Sequence, residues 1–135
     1  MNPGNSSGNG VSVNGISNNG YLSGTTLYKN FFNGWFKSGT DEDFYPVTTN
    51  LTGTAVDNNS DVIGYFPNGQ GWFAQHIEMN EGTNDASDAT QGFIPVLYPN
   101  AKTTYPMGMN DARWIAGTYT DAGGVMHGFI AKPNF

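Results

Sequence analysis

The chain contains no cysteine, only five basic residues and no long apolar run. Without cysteine, neither disulfide bridges nor thiolate metal sites can form. Nucleic-acid phosphates and anionic lipids attract clustered lysine and arginine, so a net charge of −6 argues against either partner. A membrane-spanning helix needs about 20 predominantly apolar residues, and we therefore expect no membrane insertion.

The sequence also lacks the i, i+3, i+4, i+7 spacing of apolar residues that marks an amphipathic helix. Charged residues make up only 12% of the chain, whereas 14% of residues are aromatic and 19 are glycine. Disordered chains combine few aromatic residues with high charge, so this composition predicts a folded β-protein. The length of 135 residues suits one domain, preceded by a flexible segment rich in Gly, Asn and Ser at residues 1–10.

Three segments, residues 15–36, 55–73 and 108–130, share one pattern of turns and strands. In each, a polar turn precedes an apolar-x-Gly strand, and a second turn precedes a polar-Gly-aromatic strand. Glycine inside a strand is unfavourable unless another group approaches closely. We therefore expect aromatic residues of the next strand to pack over the aligned glycines, with Trp35 over Gly24, Trp72 over Gly64 and Phe129 over Gly117.

The first turns of these segments align as Asn18-Asn19-Gly20, Asn58-Asn59-Ser60 and Asp111-Ala112-Arg113. Because Asn, Asp and Gly tolerate positive φ, two-residue hairpin turns are predicted. Asn68-Gly69 gives the strongest hairpin signal, and Gly123-Gly124 plays that part in the last segment. A further register aligns Tyr45-Pro46 with Tyr98-Pro99, ahead of the second and third segments.

The predicted fold is all-β, with three tandem antiparallel β-sheet repeats that resemble propeller blades. The units are residues 11–47, 48–92 and 93–135, within a single domain spanning 1–135. Units of this length with three or four short strands suit propeller blades. Because a propeller typically needs at least four blades, we expect oligomerisation or a longer parent chain to complete the structure.

The third segment, GMNDARWIAGTYTDAGGVMHGFI at residues 108–130, resembles the bacterial extracellular HAF repeat. The preceding LYPNAKTTYP is similar to the family's connector. The resemblance is strong over 95–130, fair over 55–73 and weaker over 15–36, and Asn33 and Gln70 replace His127 in the other two segments. It implies a secreted, propeller-like β-repeat protein with no enzymatic activity assigned to the repeat.

Four residues are candidates for ligand binding: Trp114, Arg113, His127 and Asp111. A catalytic histidine needs an orienting carboxylate and a nucleophile. Since Asn33 and Gln70 replace His127 and share only its hydrogen-bonding ability, a structural role is favoured for it. Trp114 lies on the opposite strand face from the packing glycine, so we expect its ring to be exposed.

Two weaker patterns concern metal ions. Asp57, Asn59 and Asp61 have the alternating spacing of a calcium loop, but the following glycine and bidentate Glu are absent, so an ordinary turn is favoured. His76 and Glu78 in the insertion 76–92 would share one face of an extended segment, as a zinc or hard-metal pair could. One pair does not make a site, so a solvated acidic loop is favoured and no cofactor is expected.

We expect a non-catalytic extracellular β-repeat module with a structural or adhesive role, self-associating into a ring or filament. The alternative is a glycan-binding lectin that uses exposed Trp and Tyr rings and Asn/Asp turn residues. An enzyme ranks third because the two histidines are not equivalent and no acid pair recurs, although two unrecognised carboxylates could still serve a glycosidase. Although no signal peptide begins at Met1, the composition is typical of secreted bacterial surface proteins.

Overall fold

The structure, a computed structural model, describes residues 11–28, 31–37, 45–49, 52–75, 77–80, 85–89 and 93–134. The N-terminal segment 1–10 lies outside the described residues. The described residues form thirteen β-strands and no helix, and therefore no helix that could cross a membrane. The strands are β1 (Val11–Ile16), β2 (Leu22–Tyr28), β3 (Phe31–Lys37), β4 (Tyr45–Thr49), β5 (Thr52–Val56), β6 (Val62–Tyr65), β7 (Gly71–Ala74), β8 (Ile77–Asn80), β9 (Asp85–Ala89), β10 (Phe93–Val96), β11 (Thr103–Met109), β12 (Ile115–Thr120) and β13 (Met126–Ala131).

The strands pair into antiparallel sheets, which confirms the predicted all-β class. Sheet I has the order β1-β2-β3-β4, sheet II the order β10-β7-β6-β5, and sheet III the order β11-β12-β13. Strands β8 and β9 form a separate two-stranded sheet between β7 and β10 in the chain. Sheets I and II thus have four described strands each, whereas sheet III has three.

The first three strands of sheets I, II and III pair in matching registers. In each sheet the strand glycine lies directly opposite an aromatic residue of the third strand, and one residue of the first strand bulges out of the pairing with the second. The glycine pairs are Gly24–Trp35, Gly64–Trp72 and Gly117–Phe129, and the bulged residues are Asn14, Thr54 and Met107.

Two of these glycines lie under an aromatic ring, as predicted. A Cβ atom at Gly64 would lie 2.5 Å from Cζ2 of Trp72 and would clash with the carbonyl oxygen of Thr52. A Cβ atom at Gly117 would lie 2.9 Å from the Phe129 ring. The glycines therefore permit a close approach that no other residue allows. The side chain of Trp35 lies outside the described detail.

Each predicted hairpin has a three-residue loop between two closing residues, so the prediction of two-residue turns is wrong. The loop ranges include the closing residues. In the loop 57–61, the Ser60 amide donates to the Asp57 carbonyl and the Asp57 amide donates to the Asp61 carbonyl, at 3.3 and 3.1 Å. Positive φ is needed only at the last loop residue, here 60° at Ser60. The same pair of bonds closes the loops 17–21, 66–70, 110–114 and 121–125, with positive φ at Gly20, Gly69, Arg113 and Gly124.

The core lies on the two faces of sheet II. On one face, three buried residues of sheet II pack against two of sheet III: Ala55, Ile63 and Phe73 against Ile115 and Phe129. On the other face, Val62, Trp72 and Ala74 are fully buried, and β5 lies against β1 and β2 of sheet I. Sheet II is therefore covered on both faces, and the three sheets stack in chain order.

The pairing of the fourth strands shows that one alignment made from the sequence has to be corrected. Pro46 of β4 lies opposite Trp35, and Pro95 of β10 lies opposite Trp72. Tyr98 and Pro99 instead follow β10, in the connection to β11. The residue equivalent to Pro46 is therefore Pro95, and the alignment of Tyr45-Pro46 with Tyr98-Pro99 is wrong.

Candidate functional site

The first hairpin loops of sheets I, II and III lie side by side and are joined by hydrogen bonds. We name these loops, residues 17–21, 57–61 and 110–114, the loop ladder. Asn19 Nδ2 donates to the Asn58 carbonyl at 3.1 Å, and Asn59 Nδ2 donates to the Asp111 carbonyl at 3.3 Å. The Asn58 amide and its Nδ2 also donate to the Asp111 carboxylate, at 2.9 and 2.8 Å. Most candidate residues from the sequence meet in this ladder.

The Asp57 side chain caps its own loop. Its Oδ1 accepts hydrogen bonds from the amides of Asn59 and Asp61 at 2.8 and 3.0 Å, and its Oδ2 accepts one from Asn59 Nδ2 at 3.0 Å. Burial raises the pKa of the Asp57 carboxyl, while these hydrogen bonds act in the opposite direction. Asp57 thus serves as an Asx cap, and no three acidic, His or Cys side chains converge among the described residues.

Arg113 joins sheet III to sheet II. Its Nε donates to Oδ2 of Asp61 at 2.6 Å, and the Asp61 side chain is fully buried. The guanidinium carbon lies 6.0 Å from the centroid of the Phe73 ring, within cation–π distance. Arg113 adopts a φ of 65°, at the loop position that Gly20 and Ser60 occupy in the other two sheets. The geometry therefore gives Arg113 a structural contact between two sheets.

Trp114 and His127 lie away from these buried contacts. The Trp114 side chain is exposed, and the Lys132 ammonium lies 5.7 Å from its ring centroid. His127 Nε2 lies 2.7 Å from Oδ2 of Asp121, and its ring stacks on Tyr119 with centroids 5.0 Å apart. The hydrogen bond with His127 holds the pKa of the Asp121 carboxyl below its usual value.

The stacked rings extend beyond His127. Tyr119 stacks in turn on Tyr98, with centroids 3.7 Å apart and an interplanar angle of 7°. A hydrogen bond with Tyr98 raises the pKa of the Tyr119 hydroxyl. Tyr98 could not be assigned to this cluster from the sequence, because it lies in the connection before β11. This surface cluster ties the 121–125 loop to β13.

The remaining metal candidates are His76 and Glu78. His76 lies outside the described residues. Glu78 lies in β8 and pairs through its backbone with Asp88 of β9.

The bulges hold contacts that sequence reasoning missed. Asn14 Nδ2 donates to the carbonyl of Gly53 at 2.9 Å, and Thr54 Oγ1 donates to the carbonyl of Pro106 at 2.7 Å. Each bulged side chain therefore reaches the first strand of the following sheet. The matching residue of sheet III is Met107, whose side chain is exposed. A polar residue at the bulge position is the only sequence feature that indicates these contacts. The bulge position itself can be located only when the strand register is known.

Of the candidate residues, Asp111 and Arg113 form contacts between sheets, whereas Trp114 and His127 lie on the surface of sheet III. No protein-family model, curated protein or solved structure matches the chain.

Proposed function

We propose that this chain is a non-catalytic module of three propeller-like β-repeats that associates head to tail with further copies of itself. The observation that carries this proposal is that the two terminal sheets each expose apolar residues whose counterparts in another sheet face a junction inside the chain. The association would produce a ring or a filament with a structural or adhesive role.

The two junctions inside the chain use the same contacts. A bulged side chain donates to the carbonyl at the matching position of the next sheet, from Asn14 to Gly53 and from Thr54 to Pro106. A loop amide donates to the next loop in the same way, in Asn19 to Asn58 and in Asn59 to Asp111. A contact that recurs in one direction along a stack can continue into a further copy.

The spacing between sheets supports a blade-like arrangement. A Cβ atom at Gly15 of β1 would lie 2.7 Å from the Cα atom of Ala55 in β5, so the first strands nearly touch. Farther out in sheet II, the rings of Trp72 and Phe93 lie on the face towards sheet I, with centroids 5.1 Å apart. Sheets that are close at the first strand and separated by bulky rings at the later strands suit radial packing about an axis.

The outer face of sheet III is the first free surface. We define it by Met107, Trp114, Ala116, Met126 and Ile130. Ile130 is 74% exposed and Met126 is 65% exposed. By register, Ala116 and Ile130 match Ile63 and Phe73 of sheet II, and both of those are fully buried beneath sheet III.

Among the described residues, the face of sheet I that points away from sheet II is the second free surface. Val13 is 55% exposed and Ile16 is 69% exposed. By register, they match Pro106 and Met109 of sheet III, which face sheet II, with Pro106 buried. Contiguous exposed apolar residues mark interaction sites. Because the two free faces differ and correspond to opposite sides of one junction, their association is heterologous.

The junction between copies differs from the internal junctions in two positions. Met107 occupies the bulge position from which Asn14 and Thr54 donate a side-chain hydrogen bond to the next sheet. Ala112 occupies the loop position from which Asn19 and Asn59 donate one. Two side-chain hydrogen bonds are thus replaced by apolar contact. We therefore expect an association that depends on protein concentration.

The extracellular setting belongs to the same proposal. It is supported by the resemblance of residues 95–130 to the HAF repeat and by a composition low in charge and rich in Asn, Ser, Thr and Gly. A structural or adhesive role fits an assembly built from repeated faces.

Replacing Ile130 by lysine is expected to weaken self-association at least about 10-fold, because a charged ammonium would be buried in an apolar contact. Sedimentation velocity over a concentration series measures this. The matched control is Val125→Lys, which changes an exposed aliphatic residue in the 121–125 loop and should leave association unchanged. A wild-type chain that stays monomeric at every concentration, or an Ile130→Lys chain that associates like wild type, would contradict the proposal.

Glycan binding is the second candidate function, and the exposed ring of Trp114 is the observation that favours it. Sugar rings stack on exposed tryptophan, and nearby Asn and Asp side chains supply hydrogen bonds. A titration of tryptophan fluorescence with a glycan panel, repeated with Trp114→Ala, tests this role. Fluorescence that no glycan changes would exclude it.

A further inference from the structure

Sheet III differs from sheets I and II at its outer edge. In sheets I and II, a fourth strand pairs with the third: β4 with β3, and β10 with β7. In the part of the chain that the structure describes, no strand pairs with the outer edge of β13. An unpaired edge presents a row of amide and carbonyl groups that can pair with another chain.

The two existing fourth strands have similar sequences, and their prolines lie at one register. Residues 44–47 read Phe-Tyr-Pro-Val and residues 93–96 read Phe-Ile-Pro-Val. In both sheets the proline lies opposite the tryptophan of the third strand. Proline suits an edge strand because it lacks an amide hydrogen to donate. The chain thus shows which type of segment occupies this position.

Along an antiparallel strand, the amide and carbonyl groups of successive residues point alternately to its two sides. This alternation shows which amide and carbonyl groups of β13 face the free edge. In the hairpin before β7, the Phe66 amide donates to the Gln70 carbonyl. Hydrogen-bonded and non-hydrogen-bonded residue pairs alternate from this closing pair onwards. The amide and carbonyl of Trp72 therefore point towards β6, whereas those of Gly71 and Phe73 point towards β10. Pro95, which cannot donate, lies opposite Trp72 as this alternation requires.

The hairpin before β13 has the same geometry. The Asp121 amide donates to the Val125 carbonyl, and the same alternation directs the peptide groups of Phe129 towards β12. The amide and carbonyl groups of Gly128 and Ile130 therefore point to the free edge. They correspond to the groups of Gly71 and Phe73 that bind β10 in sheet II.

A pocket of about 260 Å³ lies beside this edge. Its walls come from β10 and the residue after it, including Ile94, Val96 and Leu97, and from the end of β13 at Ala131 and beyond. In sheet II the matching place beside Ala74 is taken by Phe93, whose ring packs edge-on against Trp72. The pocket is mostly apolar in lining and can accept an aromatic ring and a proline.

We propose that the free edge of β13 binds an extended segment of the type aromatic-x-Pro-aliphatic from a partner polypeptide, as an antiparallel fourth strand of sheet III. The proline of that segment lies opposite Phe129, and its aromatic ring lies beside Ala131 in the pocket. The main-chain hydrogen bonds come from Gly128 and Ile130. This site uses the edge of sheet III, whereas the self-association proposed above uses its outer face.

A labelled peptide with the sequence of residues 92–98, Gly-Phe-Ile-Pro-Val-Leu-Tyr, tests the site by fluorescence anisotropy on the full chain. We expect saturable binding. Gly128→Pro removes an edge-facing amide and should weaken binding at least about 10-fold, whereas Gly128→Ala should bind within about 2-fold of wild type. A Cβ atom at Gly128 has room, since its nearest neighbour is the Gly117 carbonyl oxygen at 3.9 Å.

Two methylated peptides provide a test that leaves the protein unchanged. The amide of the peptide's Ile faces β13, as that of Ile94 faces β7, whereas the amide of the peptide's Phe faces away. N-methylation at Ile should abolish binding, and N-methylation at Phe should leave it within about 2-fold. Absence of binding to the wild-type chain, or equal binding of the two methylated peptides, overturns the proposal.

The Met107→Lys variant separates this site from self-association, because Met107 lies on the outer face of sheet III but in β11, away from the edge of β13. We expect the peptide to bind it within about 3-fold of wild type, whether or not the chain associates. Loss of peptide binding in this variant alone would place the site at the stacking face and overturn the assignment to the edge.

Discussion

Gly64→Ala is expected to destabilise the folded chain by about 3 kcal/mol, because the new methyl group has no space. It would lie 2.5 Å from Cζ2 of Trp72 and would clash with the Thr52 carbonyl oxygen. Neither neighbour can move easily, since Trp72 is fully buried and Thr52 is paired with Tyr65 in sheet II. The substitution therefore forces apart two strands of the sheet that is covered on both faces.

Urea unfolding of Gly64→Ala and Gly108→Ala measures this effect with a matched control. Both substitutions change the unfolded chain in the same way, but a Cβ atom at Gly108 meets nothing within 4 Å. We expect Gly108→Ala to stay within about 0.5 kcal/mol of wild type. Equal unfolding free energies for the two variants would show that Gly64 is not required for the close approach of Trp72.

Arg113→Gly is expected to cost about 3 kcal/mol, because it removes a guanidinium partner from the fully buried carboxylate of Asp61. Glycine is the suitable replacement because Arg113 has a φ of 65°, which glycine adopts without strain. The loss therefore reports the ion pair between sheets II and III and not the loop conformation.

A double-mutant cycle isolates this pair. In a chain that already carries Asp61→Asn, the substitution Arg113→Gly should cost less than about 1 kcal/mol, since position 61 no longer carries a carboxylate for the guanidinium to pair with. Thermal or urea unfolding of the four chains gives the coupling energy. Strictly additive losses would mean that Asp61 and Arg113 stabilise the fold independently, contrary to the 2.6 Å contact.

The all-β class and the close packing at Gly64 and Gly117 could be predicted from the sequence, because glycine inside a strand needs a physical reason. The loop type could not, since an Asn-Gly pair fits both a two-residue turn and the end of a three-residue loop. The proline register was misassigned because two Tyr-Pro pairs lie at similar distances before their segments, whereas strand pairing selects Pro95.

The candidate site was harder to predict because its partners come from loops far apart in the sequence. Asp111 and Arg113 stand out as charged residues of one loop, but their partners Asn58 and Asp61 belong to another loop. Nothing in a single sequence states that these loops lie side by side. Trp114 was expected to be exposed, and it is exposed.

The central claim is that the outer face of sheet III binds, in another copy, the face of sheet I that points away from sheet II. Inside the chain, Thr54 Oγ1 reaches the Pro106 carbonyl at 2.7 Å, and the matching pair between copies is Met107 with Val13. Because the chain has no cysteine, Met107→Cys and Val13→Cys each introduce one thiol, at positions exposed in the single chain.

The most direct measurement treats each variant alone, and then their equimolar mixture, with a short bismaleimide cross-linker, followed by denaturing electrophoresis. Head-to-tail association predicts a cross-linked dimer in the mixture and little or none in either variant alone. No dimer in the mixture, or equal amounts in the separate variants, would contradict it.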